Sequence, residues 1–187
     1  NIIKSDSTQF IAEAEQYFQG EYNIAEKYYE LRQSFNESDD PFLRSVIFLY
    51  MNRHGFNGLC RYNKSGVYNV PFGSYTKTYF PKAELEFIAK RAQKAEFIQG
   101  DFSLAFDQAK KGDVIYCDPP YSPIDQASNF TSYTGNSFDN EDQIRLVKCA
   151  EEARKKGITT LISNHDVAFT REIYSGASKL STLEVQR

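Results

Sequence analysis

Apolar residues in the first part of the chain recur with the period of an α-helix. Between residues 6 and 35 this pattern predicts two helices, with Gly20 as the break between them. After a polar run, Asp40 is a suitable N-cap with Pro41 at the first helical position, and the predicted helix extends to about Asn52. Because this third helix is apolar on much of its surface, we expect it to be buried.

The rest of the chain alternates strand and helix patterns after a loop-rich stretch. Residues 66–75 predict a short hairpin or a pair of turns. Beyond them, the patterns predict helices at 81–95 and 140–156 and strands at 96–99, 113–117 and 158–162. Gly157 ends the last of these helices. This alternation is typical of an α/β fold.

The strand predicted at 113–117 leads into the motif Asp118-Pro119-Pro120-Tyr121, at the edge where open α/β sheets bind their ligands. The prolines fix φ and offer carbonyl groups without N–H donors, and the tyrosine adds a flat aromatic face. An acid, a fixed carbonyl and a ring in one turn suit a planar ligand with an exocyclic amino group. The alternative is an ordinary strand exit with a Pro-Pro turn.

Other polar positions are further candidates for a functional site. Asp101 and Phe102 follow the strand predicted at 96–99, a place where α/β proteins commonly hold an adenosine, although a plain turn fits about equally well. His165 is either a general base or a structural hydrogen-bonding residue. The long polar and aromatic loop at 122–138 is typical of a lid or binding loop.

Charge is distributed unevenly along the 187 residues. The formal net charge is −3, yet residues 41–83 contain no Asp or Glu, although acidic residues make up 25 of the 187. The same segment carries six basic and ten aromatic residues. This composition indicates a polyanion partner, with a chance fluctuation or a solvated face as the alternative.

The acid-free segment also contains the residue types that read DNA. Arg and Asn bind base edges bidentately, and Leu and Pro can contact a thymine methyl group. An aromatic residue on a Gly-flanked loop can wedge into a base stack. These types cluster in residues 53–63 and continue to Tyr75, so together they favour recognition over a set of structural turns.

The remaining composition excludes other classes of protein. Three widely spaced cysteines and two histidines predict neither a disulfide framework nor a metal site. No apolar run is long enough for a membrane span, and the first residues lack the pattern of a signal peptide. We therefore expect a reduced cytoplasmic protein of one domain, or of one domain with an insertion, with no membrane and no metal partner.

The turn at Asp118 suits the activation of an exocyclic amine. The lone pair of an adenine or cytosine amino group is delocalised into the ring, so this amine is a poor nucleophile. The Asp118 carboxylate and the Pro119 carbonyl, each bound to one N–H, would draw the nitrogen towards tetrahedral geometry and stabilise its developing positive charge. Tyr121 would stack on the base, which must first be flipped out of duplex DNA.

Together, these motifs resemble the Dam-type DNA adenine-N6 methyltransferases, the GATC-recognising D12-class group with a DPPY motif. The resemblance covers nearly the whole chain and is weakest before about Tyr28. The motif at 118–121 is shared by many amino-methyltransferases, whereas the run at 54–63 is specific to this group. Further matching segments lie at 69–73, 129–131 and 163–166.

The resemblance implies an α/β fold with a Rossmann-like S-adenosylmethionine-dependent methyltransferase sheet and an inserted helical DNA-recognition subdomain. It implies S-adenosylmethionine as cofactor and double-stranded DNA as partner. We expect a monomer in the cytoplasm of a prokaryote or phage, associated with the nucleoid. Residues 1–40 would be a helical lead-in, 41–83 the DNA-recognition insert and 84–187 the catalytic core.

The resemblance also implies a catalytic set and a cofactor set. Asp118 and Tyr121 would hold the flipped adenine, and the catalytic turn as a whole would be Asp118, Pro119, Pro120 and Tyr121. The adenine of the cofactor would lie against Asp101 and Phe102, with Asp118 also at the cofactor site.

A third implied set contacts DNA. Phe56 and Asn57 would disturb and replace the stacking around the flipped base, and Arg61 would read a guanine. Leu59 and Pro71 would touch thymine methyl groups. The remaining members would lie near phosphates or outer base pairs, and the whole set is Arg32, Arg53, Phe56, Asn57, Leu59, Arg61, Asn63, Pro71, Tyr75, Asn129 and Phe130.

The chain departs from this group in two respects. Ser74 stands where a relative commonly has arginine, so one outer phosphate contact is not expected. No Phe-x-Gly-x-Gly loop precedes the recognition segment, and the C-terminus stops before an expected basic loop. We therefore expect this chain to be an incomplete copy of its protein, which by itself binds cofactor poorly and lacks methyltransferase activity.

Two other functions remain open. The first is an amino-methyltransferase for cytosine N4 or a protein glutamine, although such enzymes tend to have Ser or Asn in place of Asp118. The second is a catalytically dead DNA-binding or regulatory module that keeps the same fold, and the missing glycine loop is the observation in its favour.

Overall fold

The computed structural model describes residues 2–123 and 138–184 of the chain. The chain divides into two compact units, Asn1–Ile98 and Gln99–Arg187. Among the described residues, no helix combines the length and the apolarity that crossing a lipid bilayer requires. The finer division at residues 40 and 83 stays a prediction.

The first unit is built from helices and turns. Its helices are α1 (Ile2–Ser5), α2 (Ser7–Gln16), α3 (Ala25–Glu37), α4 (Pro41–His54) and α5 (Lys82–Ala92). Short 3₁₀ turns lie at Gly20–Tyr22 and Phe56–Gly58. The two helices predicted before residue 36, the break at Gly20 and the helix predicted from residue 81 are thus confirmed.

Helix α4 lies at the centre of the first unit. Its start is fixed as predicted, because the Asp40 side chain accepts a hydrogen bond from the backbone N–H of Phe42 at 2.8 Å and Pro41 follows the cap. One face of α4 packs into a cluster with Tyr28, Phe35, Ile47, Tyr50, Met51, Tyr68 and Val70, and another into a cluster with Phe10, Ile11, Ala14 and Val46. The helix is therefore buried on two sides, which confirms the expectation from its apolar surface.

Three tyrosines carry hydroxyl groups into the core beside α4. Tyr28 donates to the carbonyl of Val70 at 3.1 Å, Tyr50 to that of Tyr22 at 2.7 Å, and Tyr68 to that of Leu59 at 2.9 Å. Burial raises the pKa of Tyr28 to about 12 and also raises the pKa of Tyr50 and Tyr68. Because a buried hydroxyl needs a partner, each of these bonds ties a loop carbonyl to the helical core.

The segment after α4 forms antiparallel contacts instead of a regular hairpin. Isolated bridges join Gly55 to Phe72 and Tyr62 to Tyr68. The segment predicted at 66–75 therefore pairs with the preceding residues 55–62, and Gly66 lies in the turn between the two paired stretches.

His54, the last residue of α4, is hydrogen-bonded to the segment that follows the helix. Its Nδ1 atom lies 2.9 Å from the Tyr50 carbonyl, which can only accept, so Nδ1 carries the proton and Nε2 accepts from the Thr78 hydroxyl at 2.8 Å. The His54 carbonyl accepts the N–H of Gly73 at 2.8 Å. Burial lowers the pKa of His54, and this effect outweighs the opposing hydrogen bond to Tyr50.

The second unit contains the parallel strands β1 (Val114–Cys117) and β2 (Thr159–Ile162). Its helices are α6 (Ser103–Gln108), α7 (Asn140–Lys155) and α8 (Ala168–Ile173). A buried cluster of Phe106, Leu146, Ala153 and Ile158 packs with inward residues of both strands. Helix α7 begins at an Asp139 capping box and ends before Gly157, whose φ of +77° suits a glycine. A mixed α/β unit with a small parallel sheet is therefore confirmed.

The strand predicted at 96–99 is wrong. The described residues form no strand there, and the side chains of Phe97 and Ile98 are 56% and 51% exposed. A short apolar run carries no information about the partner that a strand needs for its hydrogen bonds, and no described residue pairs with this one. Asp101 therefore lies just before helix α6 and follows no strand.

The close approach at Gly55 generates a stability prediction. A Cβ atom at Gly55 would lie 2.6 Å from the Met51 carbonyl oxygen and 2.8 Å from the Tyr28 hydroxyl. We expect Gly55→Ala to lower the free energy of unfolding in urea by about 1–3 kcal/mol, as for other overpacked sites. Gly20→Ala is the control, because a Cβ there meets no atom within 4 Å. Equal stability of the two variants would contradict this packing.

The buried neutral His54 generates a pH prediction. The unfolded chain binds a proton at His54 more readily than the folded chain, because the folded pKa is the lower of the two. Its contribution to stability is therefore complete above the ordinary histidine pKa of about 6.5 and is lost as the pH falls through the folded value. We expect the free energy of unfolding to decrease as the pH is lowered below about 6.5, and to decrease less in His54→Asn. Parallel curves for the two proteins would contradict a depressed pKa.

Candidate functional site

The parallel register brings two polar residues to the same end of the sheet. Cys117 pairs with Ile162, so Asp118 and Ser163 leave their strands side by side. The Ser163 hydroxyl donates to Asp118 Oδ1 at 2.8 Å. Its single proton is used in that bond, so the Tyr116 hydroxyl, 3.1 Å away, donates to Ser163 Oγ. Asp118 Oδ2 has no donor among the described residues.

The buried side chain of Gln143 holds the Pro-Pro turn through a hydrogen bond. Gln143, only 2% exposed, donates through Nε2 to the Pro120 carbonyl at 2.8 Å and accepts from Asn164 Nδ2 at 3.0 Å. Asn164 Oδ1 in turn accepts the backbone N–H of Ser122 at 2.9 Å. Within the described ranges no donor contacts the Pro119 carbonyl. The turn is thus fixed on both flanks, while two adjacent acceptors, Asp118 Oδ2 and the Pro119 carbonyl, have no donor within the described ranges.

Tyr121 and His165 lie edge to face beside this turn. Their ring centroids are 5.0 Å apart, and the Tyr121 side chain is 38% exposed. His165 Nδ1 donates to the Ser122 carbonyl at 2.7 Å. This bond favours the structural role for His165 over the general base. The partly exposed Tyr121 ring is accessible to a planar ligand.

Asp101 and Phe102 are held by a residue that the sequence analysis did not single out. Arg145 on α7 donates to both oxygens of Asp101, at 2.7 and 3.0 Å, and its guanidinium carbon lies 4.0 Å from the centre of the Phe102 ring. The backbone N–H of Ser103 also donates to Asp101 Oδ1 at 2.9 Å. The hydrogen bonds from Arg145, and next that from Ser103, hold the pKa of Asp101 well below its usual range.

In the first unit, the Gly-flanked loop is tied to the segment that follows it. Asn57 has a φ of 53°, and its N–H donates to the Tyr75 hydroxyl at 2.9 Å. The N–H of Phe56 donates to the Pro71 carbonyl at 2.8 Å, and Asn23 donates to the Tyr75 carbonyl at 2.8 Å. These bonds bring four predicted DNA-contacting residues together, and the Phe56 ring remains 48% exposed.

Arg61 is exposed and oriented by a neighbour. Its Nε atom donates to Asn69 Oδ1 at 2.8 Å, and Nη2 donates to the Asn69 carbonyl at 3.1 Å. Two of the five guanidinium N–H groups are used in this way, and the other three have no acceptor in the part of the chain that the structure describes.

The other predicted DNA-contacting residues have varied environments. Arg32 donates to the Val70 carbonyl at 2.9 Å, and Arg53 donates to that of Tyr79 at 3.3 Å. Asn63 uses its Oδ1 atom within its own turn, where it accepts two backbone N–H groups. Leu59 is half-buried and Pro71 is exposed. Asn129 and Phe130 lie outside the described residues.

The residues that sequence reasoning missed are partners in tertiary contacts. Gln143 gave one usable signal, since it occupies an inward position of an amphipathic helix together with Leu146 and Ala153. Arg145 gave none, because it acts on residues far away in the sequence, and Ser163 lies in the matching segment 163–166 but had no role assigned to it. Among the described residues no group of three or more His, Cys, Asp or Glu side chains could hold a metal ion.

Comparison with known proteins identifies the family. The model of the D12 class N6 adenine-specific DNA methyltransferases matches residues 1–187. Proteins named DNA adenine methylase from Vibrio cholerae serotype O1, Haemophilus influenzae and Escherichia coli K12 are 51%, 49% and 48% identical over the whole chain. The chain covers 68%, 66% and 67% of their respective lengths. With this match over its full length, the chain belongs to the D12 class N6 adenine-specific DNA methyltransferases.

Proposed function

We propose that this protein transfers a methyl group from S-adenosylmethionine to N6 of an adenine flipped out of double-stranded DNA, within the sequence GATC. The observation that carries the proposal is the pair of adjacent acceptors at the Asp118–Pro119 junction, to which no described residue donates. Family membership favours adenine N6 over cytosine N4, and the name DNA adenine methylase of the relatives agrees with adenine as the target base. The proposal of GATC rests on the resemblance of residues 54–63 to the GATC-recognising group.

The turn supplies what an adenine amine needs in order to attack. Asp118 Oδ2 and the Pro119 carbonyl each accept one N–H of the amino group, which localises the nitrogen lone pair and stabilises the positive charge that develops. Ser163 fixes the carboxylate through Oδ1 and thereby leaves Oδ2 for the substrate. The accessible ring of Tyr121 stacks on the flipped base.

The residues around Asp101 fit the adenine of the cofactor. The Asp101 carboxylate accepts from Arg145 and from the Ser103 N–H, and its side chain remains 47% exposed beside the Phe102 ring. A partly exposed carboxylate beside an aromatic ring suits an exocyclic amine on a planar base. When bound, S-adenosylmethionine supplies a methyl group activated by a sulfonium. Asp101 and Phe102 bind its adenine, and Asp118 lies at the reacting end.

The first unit supplies the features that DNA recognition requires. Among the described residues Arg53, Arg61, Lys64 and Lys77 are exposed and form no ion pair, so they are available to phosphates and base edges. The exposed Phe56 ring on its Gly-flanked turn suits a wedge at the flipped base.

The proposal keeps the individual roles that the family resemblance implies. Arg61 reads a guanine, Asn57 replaces stacking beside the flipped base, and Leu59 and Pro71 contact thymine methyl groups. The residues assigned to phosphates and outer base pairs are Arg32, Arg53, Asn63, Tyr75, Asn129 and Phe130. Asn63 would act through its Nδ2 donors, since Oδ1 is engaged in the turn.

Replacement of the acid tests the proposed chemistry. We expect Asp118→Ala in the full-length protein to abolish methyl transfer to GATC duplexes, because one of the two acceptors is lost, while DNA affinity stays unchanged. Transfer of a radiolabelled methyl group and a DNA-binding titration measure the two quantities. Asp107→Ala, at an exposed position of α6, is the matched control and should behave as the unaltered protein. Normal turnover in Asp118→Ala would exclude the assignment.

Recognition by Arg61 predicts a loss at one base pair only. We expect Arg61→Ala to reduce discrimination against a single substituted base pair of GATC by about 1–3 kcal/mol. Asn69→Ala should give a smaller loss at the same base pair, because Arg61 keeps its charge and its bond to the backbone carbonyl but loses the bond to Asn69 Oδ1. Lys64→Ala is the control and should weaken binding to every duplex equally, with a reduced salt dependence. An equal effect of Arg61→Ala on matched and substituted duplexes would contradict base reading.

A further inference from the structure

We propose that Arg145 is a positioning residue for cofactor binding, which fixes the Asp101 carboxylate and the Phe102 ring in the arrangement that receives the adenine of S-adenosylmethionine. The inference rests on the proposed cofactor site at these two residues. It concerns a side chain outside that site, on helix α7.

The contacts of Arg145 converge on both members of the pair. Nη1 and Nη2 donate to the two oxygens of Asp101 in a fork, which fixes the plane of the carboxylate as well as its position. The guanidinium also covers the Phe102 ring at 4.0 Å. Phe102 further contacts the Phe138 ring, with centroids 5.8 Å apart. Arg145 thus fixes the position of the Asp101 carboxylate relative to the Phe102 ring.

The position of Arg145 is itself fixed. Asp142 Oδ1 accepts from Nη2 at 2.7 Å, and Asp142 also belongs to the capping box that starts α7. The neighbouring residues Gln143 and Leu146 are both buried. The first turns of α7 are therefore anchored on two sides, and Arg145 extends from a rigid base towards Asp101.

Stability does not account for these contacts. The side chains of Arg145 and Asp101 are 43% and 47% exposed, and ion pairs this accessible contribute little to folding because water screens them. Their geometric effect on Asp101 does not depend on that contribution. Removal of Arg145 would take away the bond to Asp101 Oδ2, so that the Ser103 N–H alone would not fix the carboxylate plane, and would leave Asp101 near the like-charged Asp142.

Binding of the reaction product tests the role without turnover. We expect Arg145→Gln in the full-length protein to raise the calorimetric Kd for S-adenosylhomocysteine roughly tenfold, as for one weakened charge-assisted hydrogen bond. The KM for S-adenosylmethionine should rise in parallel, whereas the KM for DNA and the urea midpoint should not change. Arg145→Lys should recover only part of the affinity, because an ammonium group keeps the charge but loses the fork.

A pH profile separates positioning from a merely structural role. Asp101 must be ionised to accept the amine, and Arg145 keeps it ionised to low pH. We therefore expect the affinity of Arg145→Gln for S-adenosylhomocysteine to begin to fall at a higher pH than that of the unaltered protein. Arg154→Gln, on the same helix, is the matched control, since among the described residues Arg154 donates only to the Gly176 carbonyl. It should leave both affinity and profile unchanged.

The variants also distinguish the two proposals. Asp101→Ala should weaken binding at least as much as Arg145→Gln, and the double variant should bind as Asp101→Ala does, because the residues act as one unit. Unchanged affinity in Arg145→Gln, with a loss in Asp101→Ala, would overturn the role of Arg145 alone. Unchanged affinity in Asp101→Ala would overturn the cofactor site as well. Tighter binding in Arg145→Gln would mean that Arg145 competes with the cofactor, and would also overturn the inference.

Discussion

The shape of the Asp118–Tyr121 turn depends on the hydrogen bond between the buried Gln143 carboxamide and the Pro120 carbonyl. Two consecutive prolines offer no N–H groups, so hydrogen bonds to these two residues can be made only through their carbonyls. Gln143 holds one of these, and Asn164, which it also binds, holds the N–H of Ser122 on the other flank. An isolated buried amide would be costly, but each member of this chain of contacts satisfies the next.

Helix α7 contacts both candidate sites of the second unit. It connects β1 to the parallel β2, which places Ser163 beside Asp118. From successive faces of the same helix, Gln143 reaches the proposed substrate turn and Arg145 reaches the proposed cofactor pair. The capping box at Asp139 therefore matters beyond local helix stability, because it fixes where both side chains begin.

The sequence predicted local features well and tertiary partners poorly. The cap at Asp40, the break at Gly20 and the strand that leads to Asp118 depend on residues close together in the chain, and each was found. The strand predicted at 96–99 failed because pairing is a property of two segments. The Asp118 turn was evident from its composition, whereas its supports, Gln143 and Ser163, come from distant positions that spacing does not connect. Arg61 was likewise evident, but its orientation by Asn69 was not.

The bond from the Asn57 amide to the Tyr75 hydroxyl has a consequence for the kinetics of the DNA binding that we propose for this loop. A residue with φ of 53° would sample other conformations if it were free. Because this bond orders the loop when the protein folds, the entropy cost of fixing its conformation belongs to folding and not to binding. An arriving duplex therefore meets a loop that is already ordered. Association should therefore proceed as a simple encounter between two preformed surfaces, without a slow rearrangement step in the protein loop.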